Sequence, residues 1–187
     1  MKIGFFGGSF NPPTLAHLNL ARQAVKQYNL DLFYFVPVND YYPKDGLIDL
    51  DTRCKMLDIM LKDESKIKTS KIEKNRNSRY SAYEIFNTIS YENKDDQIFF
   101  VMGEDNYKKM PSWDHYEDLK KYSYIVFQRE EGNSFNRTDK NIFYMENDKN
   151  LKISSTLIRS NQKEHKPIDN YVTKEIKEFI DKNKLYL

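Results

Sequence analysis

The feature that most narrows the fold is an alternation. Short, continuous apolar runs at residues 2–6, 32–36, 97–102 and 123–127 are separated by stretches whose apolar residues recur every three to four positions. A continuous run of that length suits a strand buried on both faces, whereas a three-to-four spacing suits a helix with one apolar side. Leu15, Leu18, Ala21, Val25 and Tyr28 predict a helix over 13–28. Met56, Leu57, Met60 and Leu61 predict another over 51–61, with an Asp able to cap it. Residues 67–72 and 141–145 read as further strands, and 81–90 and 116–121 as helices. A helix opens at 155–160, and a last one covers 173–182, with Val172, Ile176, Phe179 and Ile180 inward. Strands alternating with helices imply an α/β, Rossmann-like, doubly wound parallel sheet with helices on both faces. In such a sheet, loops distant in sequence meet at the carboxyl ends of the strands, where ligands bind.

Composition narrows the class. A chain of 187 residues suits a single domain spanning 1–187. The one cysteine, Cys54, excludes an internal disulfide and a cysteine-based zinc site. No apolar run approaches the ~20 residues of a membrane span, and the glycine-rich start does not suit a signal peptide. A cytoplasmic protein with no membrane partner is expected. The formal net charge of +2 gives no field that implies nucleic-acid binding, although lysines cluster over 62–74. Homo-oligomerisation is left open.

The first strand runs into Gly7-Gly8-Ser9-Phe10-Asn11-Pro12-Pro13-Thr14-Leu15-Ala16-His17. Glycines let backbone N–H groups approach an anion, and prolines suit the first positions of a helix, whose amino end attracts phosphate. Thr14 and His17, three apart, fall on neighbouring parts of one helical face beside that phosphate. Taken alone, His17 reads first as a core histidine and the glycine pair as a plain turn; the segment is neither the dinucleotide fingerprint nor a P-loop. Near the other end, Ile153-Ser154-Ser155-Thr156-Leu157-Ile158-Arg159 offers hydroxyls before a helix and a guanidinium one turn on. Its serines read as N-caps or as phosphate donors, and Arg159 as a fork for phosphate oxygens.

Together these segments resemble the nucleotidylyltransferase superfamily. Residues 8–17 are similar to its G-[ST]-F-[DN]-P-x-[HT]-x-x-H signature, and residues 153–159 to its I-S-S-T-x-[IV]-R signature. Phe99-Phe100-Val101-Met102-Gly103-Glu104-Asp105, followed by Met110-Pro111-Ser112-Trp113, resembles the G-x-D…[LM]-P-x-W element of the nicotinate/nicotinamide mononucleotide adenylyltransferase family. Val36-Pro37…Lys44-Asp45-Gly46-Leu47 resembles that family's lysine loop, 123–129 its arginine-ended strand, and 171–186 its final helix. Arg79-Tyr80-Ser81-Ala82-Tyr83-Glu84 keeps little of the S-Y-T-x-D-T segment that holds the pyridine substituent in bacterial members.

The resemblance implies AMP transfer from ATP to nicotinate mononucleotide, or also to nicotinamide mononucleotide, with pyrophosphate released. It implies catalytic roles for His17, Thr14, Lys44 and Arg159. It implies ATP contacts at Gly8, Ser9, Phe10, Ser154, Ser155 and Thr156. For the pyridine mononucleotide it implies Tyr80, Ser81, Gly103, Asp105 on a ribose, Trp113 stacked on the ring, and Arg129. Mg²⁺ is expected on the ATP phosphates, with no protein ligand assigned. Phosphopantetheine adenylyl transfer, or a non-catalytic nucleotide sensor on the same scaffold, are the alternatives. An acceptor phosphate that is already anionic needs no general base, which fits a set of informative residues made of cations and hydroxyls.

Overall fold

The computed structural model describes residues 1–74, 76–128, 140–146 and 153–187. Its strands are β1 (Lys2–Gly8), β2 (Leu32–Pro37), β3 (Ile67–Thr69), β4 (Gln97–Gly103), β5 (Ser123–Phe127) and β6 (Ile142–Met145). Its helices are α1 (Leu15–Tyr28), α2 (Leu50–Met60), α3 (Ala82–Glu92), α4 (Glu104–Lys109), α5 (Tyr116–Leu119), α6 (Ser155–Lys163) and α7 (Lys174–Lys182). The six strands form one sheet in the order β3-β2-β1-β4-β5-β6, every pair parallel. The expected doubly wound sheet is therefore present.

The two-residue period of the strands divides the core. Phe6, Phe33, Phe35, Phe99, Val101, Ile125 and Phe127 pack on α1, α2, α6 and α7. Their neighbours Ile3, Phe5, Val36, Phe100, Met102, Tyr124 and Val126 pack on α3 and α5. Chain order reverses between β1 and β4, so the carboxyl ends of these central strands open a crevice at the switch point.

Several boundaries move for physical reasons. α1 begins at Leu15 because the Thr14 hydroxyl caps it, accepting from the His17 N–H. Pro12 and Pro13 therefore precede the cap instead of occupying the first helical positions. β3 ends at Thr69, where the chain turns. α4 was not expected, since of its six residues only Glu104 is buried and no apolar stripe marks it. Among the described residues no helix is long and apolar enough to cross a membrane. Within the lysine cluster, Lys62, Lys71 and Lys74 pair with Glu175, Asp58 and Asp51.

Candidate active site

A cleft of about 860 Å³ opens at the switch point. Gly8, Ser9, Phe10, His17, Lys44, Tyr80, Ser81, Asp105 and Trp113 border it, whereas Ser154, Ser155, Thr156 and Arg159 do not. One end is polar and built around the β1–α1 turn. The other is aromatic and built from the segment before α3 and the turn after α4.

At the polar end, the turn is shaped by close packing. A Cβ on Gly8 would lie 2.9 Å from the Phe10 ring, so only glycine lets that ring fold beneath the strand. Phe10 takes a left-handed φ of 45° and meets Phe6, Phe35 and His17 edge-on. Phe10 is thus the floor of the turn. Gly7 is exposed on the cleft, with nothing within 4 Å of where a Cβ would stand.

Thr14 is fully buried and forms a capping box with His17. The Thr14 N–H donates to His17 Nδ1 at 3.0 Å, and the Thr14 hydroxyl lies 2.9 Å from the same nitrogen. A backbone N–H can only donate, so Nδ1 is an acceptor and the neutral ring carries its proton on Nε2. Thr14 therefore orients His17 and does not itself border the cleft.

The carboxyl-terminal signature reaches the same turn. Ser155 Oγ donates to the Pro12 carbonyl at 2.7 Å, and an Arg159 NH group donates to the Asn11 carbonyl at 2.9 Å. Ser154 caps α6, and Thr156 Oγ1 accepts from Arg159 at 3.4 Å. Lys44 Nζ donates to Ser9 Oγ at 2.7 Å. Partial burial pushes the Lys44 ammonium below its ordinary pKa, and the nearby charges of Arg159 and then Arg53 add to the effect. The stretches around His17 and Arg159 thus converge on one place.

Arg53 was missed by sequence reading. Its fully buried guanidinium donates to the carbonyls of Ile48 (2.7 Å) and Ser9 (3.1 Å) and to Asp40 Oδ1 (3.1 Å), tying the lysine loop to the β1–α1 turn. A lone arginine on an apolar helix face carries no sequence signal of this role.

At the aromatic end, Trp113 is partly buried and packs with the α3-side core while bordering the cleft. The Arg76 guanidinium sits 4.0 Å from the centre of the Tyr80 ring, and Arg79 borders the same region. Ser81 caps α3 reciprocally with Glu84. Gly103 is buried at the end of β4, back from the cleft wall. Burial pushes the Glu73 carboxyl above the usual range, against the pull of Arg76 and the Asn39 N–H. Arg129 lies outside the described residues. Among the described residues no three His, Cys, Asp or Glu side chains are grouped to hold a metal ion.

The cytidylyltransferase-like family profile matches residues 5–161. The chain is 31% identical over 190 residues to "Probable nicotinate-nucleotide adenylyltransferase" of Fusobacterium nucleatum, covering 97% of this chain and 98% of that protein. The chain belongs to the nicotinate-nucleotide adenylyltransferase family. It is also 26% identical to the nicotinate-nucleotide adenylyltransferase of Bacillus subtilis, over 99% of this chain and 98% of the relative. In fold it is similar to Plasmodium falciparum nicotinic acid mononucleotide adenylyltransferase complexed with NaAD, with a TM-score of 0.85, 21% identity, and coverage of 99% and 97%. Family membership agrees with a nucleotide-sized crevice at the switch point of the sheet.

Proposed function

We propose that this chain transfers AMP from ATP to nicotinate mononucleotide, giving deamido-NAD and pyrophosphate. The observation that carries this is the convergence of His17, Lys44 and, through the Asn11 carbonyl, Arg159 on the β1–α1 turn, which borders one end of a cleft whose other end is aromatic. The acceptor phosphate oxygen attacks the α-phosphorus of ATP, a new P–O bond forms, and the bond to the bridging oxygen of pyrophosphate breaks. The attacking oxygen is already anionic, so the site's work is alignment and charge neutralisation. His17 donates from Nε2 to the phosphoryl group, held in that tautomer by Thr14. Lys44 and Arg159 take the charge growing on pyrophosphate, and the amides near Gly7–Ser9 line the phosphates. Mg²⁺ carried on the ATP phosphates would supply further neutralisation.

At the other end Trp113 stacks on the pyridine and Asp105 accepts from the ribose. Arg79 on the cleft wall, with Arg76 behind the Tyr80 ring, offers a pyridine carboxylate a guanidinium that an uncharged carboxamide would use less. Two nucleotides as substrates suit work in the cytoplasm.

The test is product formation from ATP with nicotinate mononucleotide, nicotinamide mononucleotide and phosphopantetheine in parallel. Deamido-NAD with matching pyrophosphate, at the highest kcat/KM of the three, is expected. A preference for phosphopantetheine would overturn the acceptor, and nucleotide binding with no product would overturn catalysis.

A further inference from the structure

The penultimate residue reaches the phosphate turn. Tyr186 OH donates to Asn11 Oδ1 at 2.9 Å, across almost the full length of the chain. Tyr186 holds a left-handed φ of 64°, and Lys184 one of 51°, so the chain folds back after α7. Such angles are uncommon outside glycine and mark a backbone held by its surroundings. Here the surroundings are the helical core, on which Leu185 and Tyr186 pack.

Asn11 is fully buried, and its groups are committed to separate parts of the site. Its Nδ2 donates to the Gly46 carbonyl at 2.7 Å, two residues beyond Lys44. Its backbone carbonyl receives Arg159. Among the described residues, Oδ1 accepts besides Tyr186 only a long 3.5 Å contact from the Ile48 N–H. The Tyr186 hydroxyl is therefore the principal donor to a buried acceptor whose other end fixes the lysine loop. Burial pushes the Tyr186 phenol above its ordinary pKa, so the hydroxyl keeps its proton through neutral and mildly alkaline pH.

We propose that Tyr186 is a positioning residue for the triphosphate end of the cleft, acting through Asn11 on the Gly46 turn and so on Lys44. This rests on the adenylyl-transfer reading and adds a role for the chain's end to it. Without the hydroxyl, the Asn11 amide keeps its place by one short bond in place of two, and the lysine loop gains freedom. Loss of alignment by a fraction of an ångström lowers the rate without abolishing binding of the other substrate.

The experiment is a double-mutant cycle of Tyr186→Phe with Lys44→Ala, with Leu187→Ala, an exposed neighbour, as control. In the wild-type background Tyr186→Phe is expected to lower kcat/KM for ATP by roughly fivefold to tenfold, with KM for the mononucleotide within about twofold. In the Lys44→Ala background the same change is expected to cost less than about twofold. The dissociation constant for ATP, read by calorimetry, repeats the comparison without turnover. Equal rates in Tyr186→Phe and wild type, the same fold-loss in both backgrounds, or a loss shared equally by both substrates would overturn the proposal. The wild-type rate in the same series tests the adenylyl-transfer reading separately, because the role of Tyr186 is read from ratios.

Discussion

The two ends of the cleft are built on different principles. At the end proposed for the triphosphate, the side chains proposed to act are braced by buried groups: Thr14 behind His17, Arg53 beneath Ser9, and Asn11 between Gly46 and Arg159. At the end proposed for the pyridine, Tyr80, Arg79, Asp105 and Trp113 stand on segments between elements or on the six-residue α4, partly or largely exposed. The contrast follows from the chemistry. Charge stabilisation in a transition state rewards fixed dipoles, whereas ring stacking tolerates sliding. Substitutions at the first end should therefore act on kcat, and those at the second on KM for the acceptor.

The sharpest test of this division is His17→Ala. It should lower kcat at least about a hundredfold, the scale of one lost transition-state donor, with the circular dichroism spectrum retained. An unchanged kcat would end the distinction. Trp113→Ala should raise KM for the mononucleotide roughly fivefold, corresponding to about 1 kcal/mol of stacking, with kcat within about twofold. If kcat fell as far as in His17→Ala, the pyridine end would belong to the same rigid assembly as the triphosphate end.

The smallest expected effect is one of pH. Partial burial, with Arg159 and Arg53 nearby, disfavours the charged form of Lys44, so its pKa lies below that of an ordinary lysine. A rate that needs the ammonium is complete below that pKa and falls as pH rises through it. Lys44→Arg stays charged, so the alkaline limb of kcat/KM for ATP should move to higher pH. A limb that does not move would assign the titration elsewhere.

The strands were legible because both-face burial leaves continuous apolar runs, as in β1, β2, β4 and β5. α4 was not, because its exposed residues leave no apolar period. His17 and Arg159 were singled out through local motifs, and the structure adds that Arg159, on α6, bonds the Asn11 carbonyl of the turn that leads into the helix of His17. Arg53 and Asn11 were invisible as braces, since the partners that tie them to the turn and the lysine loop lie far away in sequence, Gly46 for Asn11 and Ser9 for Arg53. Tyr186 sits in a terminal segment that resembles the family's last helix, yet nothing local announces that its hydroxyl meets Asn11. Thr14 reads in sequence as a phosphate contact, whereas burial and the capping box make it the support of His17.

The central claim is that the amino-terminal turn and the α6 signature grip one triphosphate together. Backbone hydrogen exchange, with and without an ATP analogue carrying a methylene between its α- and β-phosphorus atoms, reads this directly. The account predicts slowed exchange in both 7–17 and 154–159 at the same analogue concentration. Slowing in one segment while the other stays unchanged would contradict it.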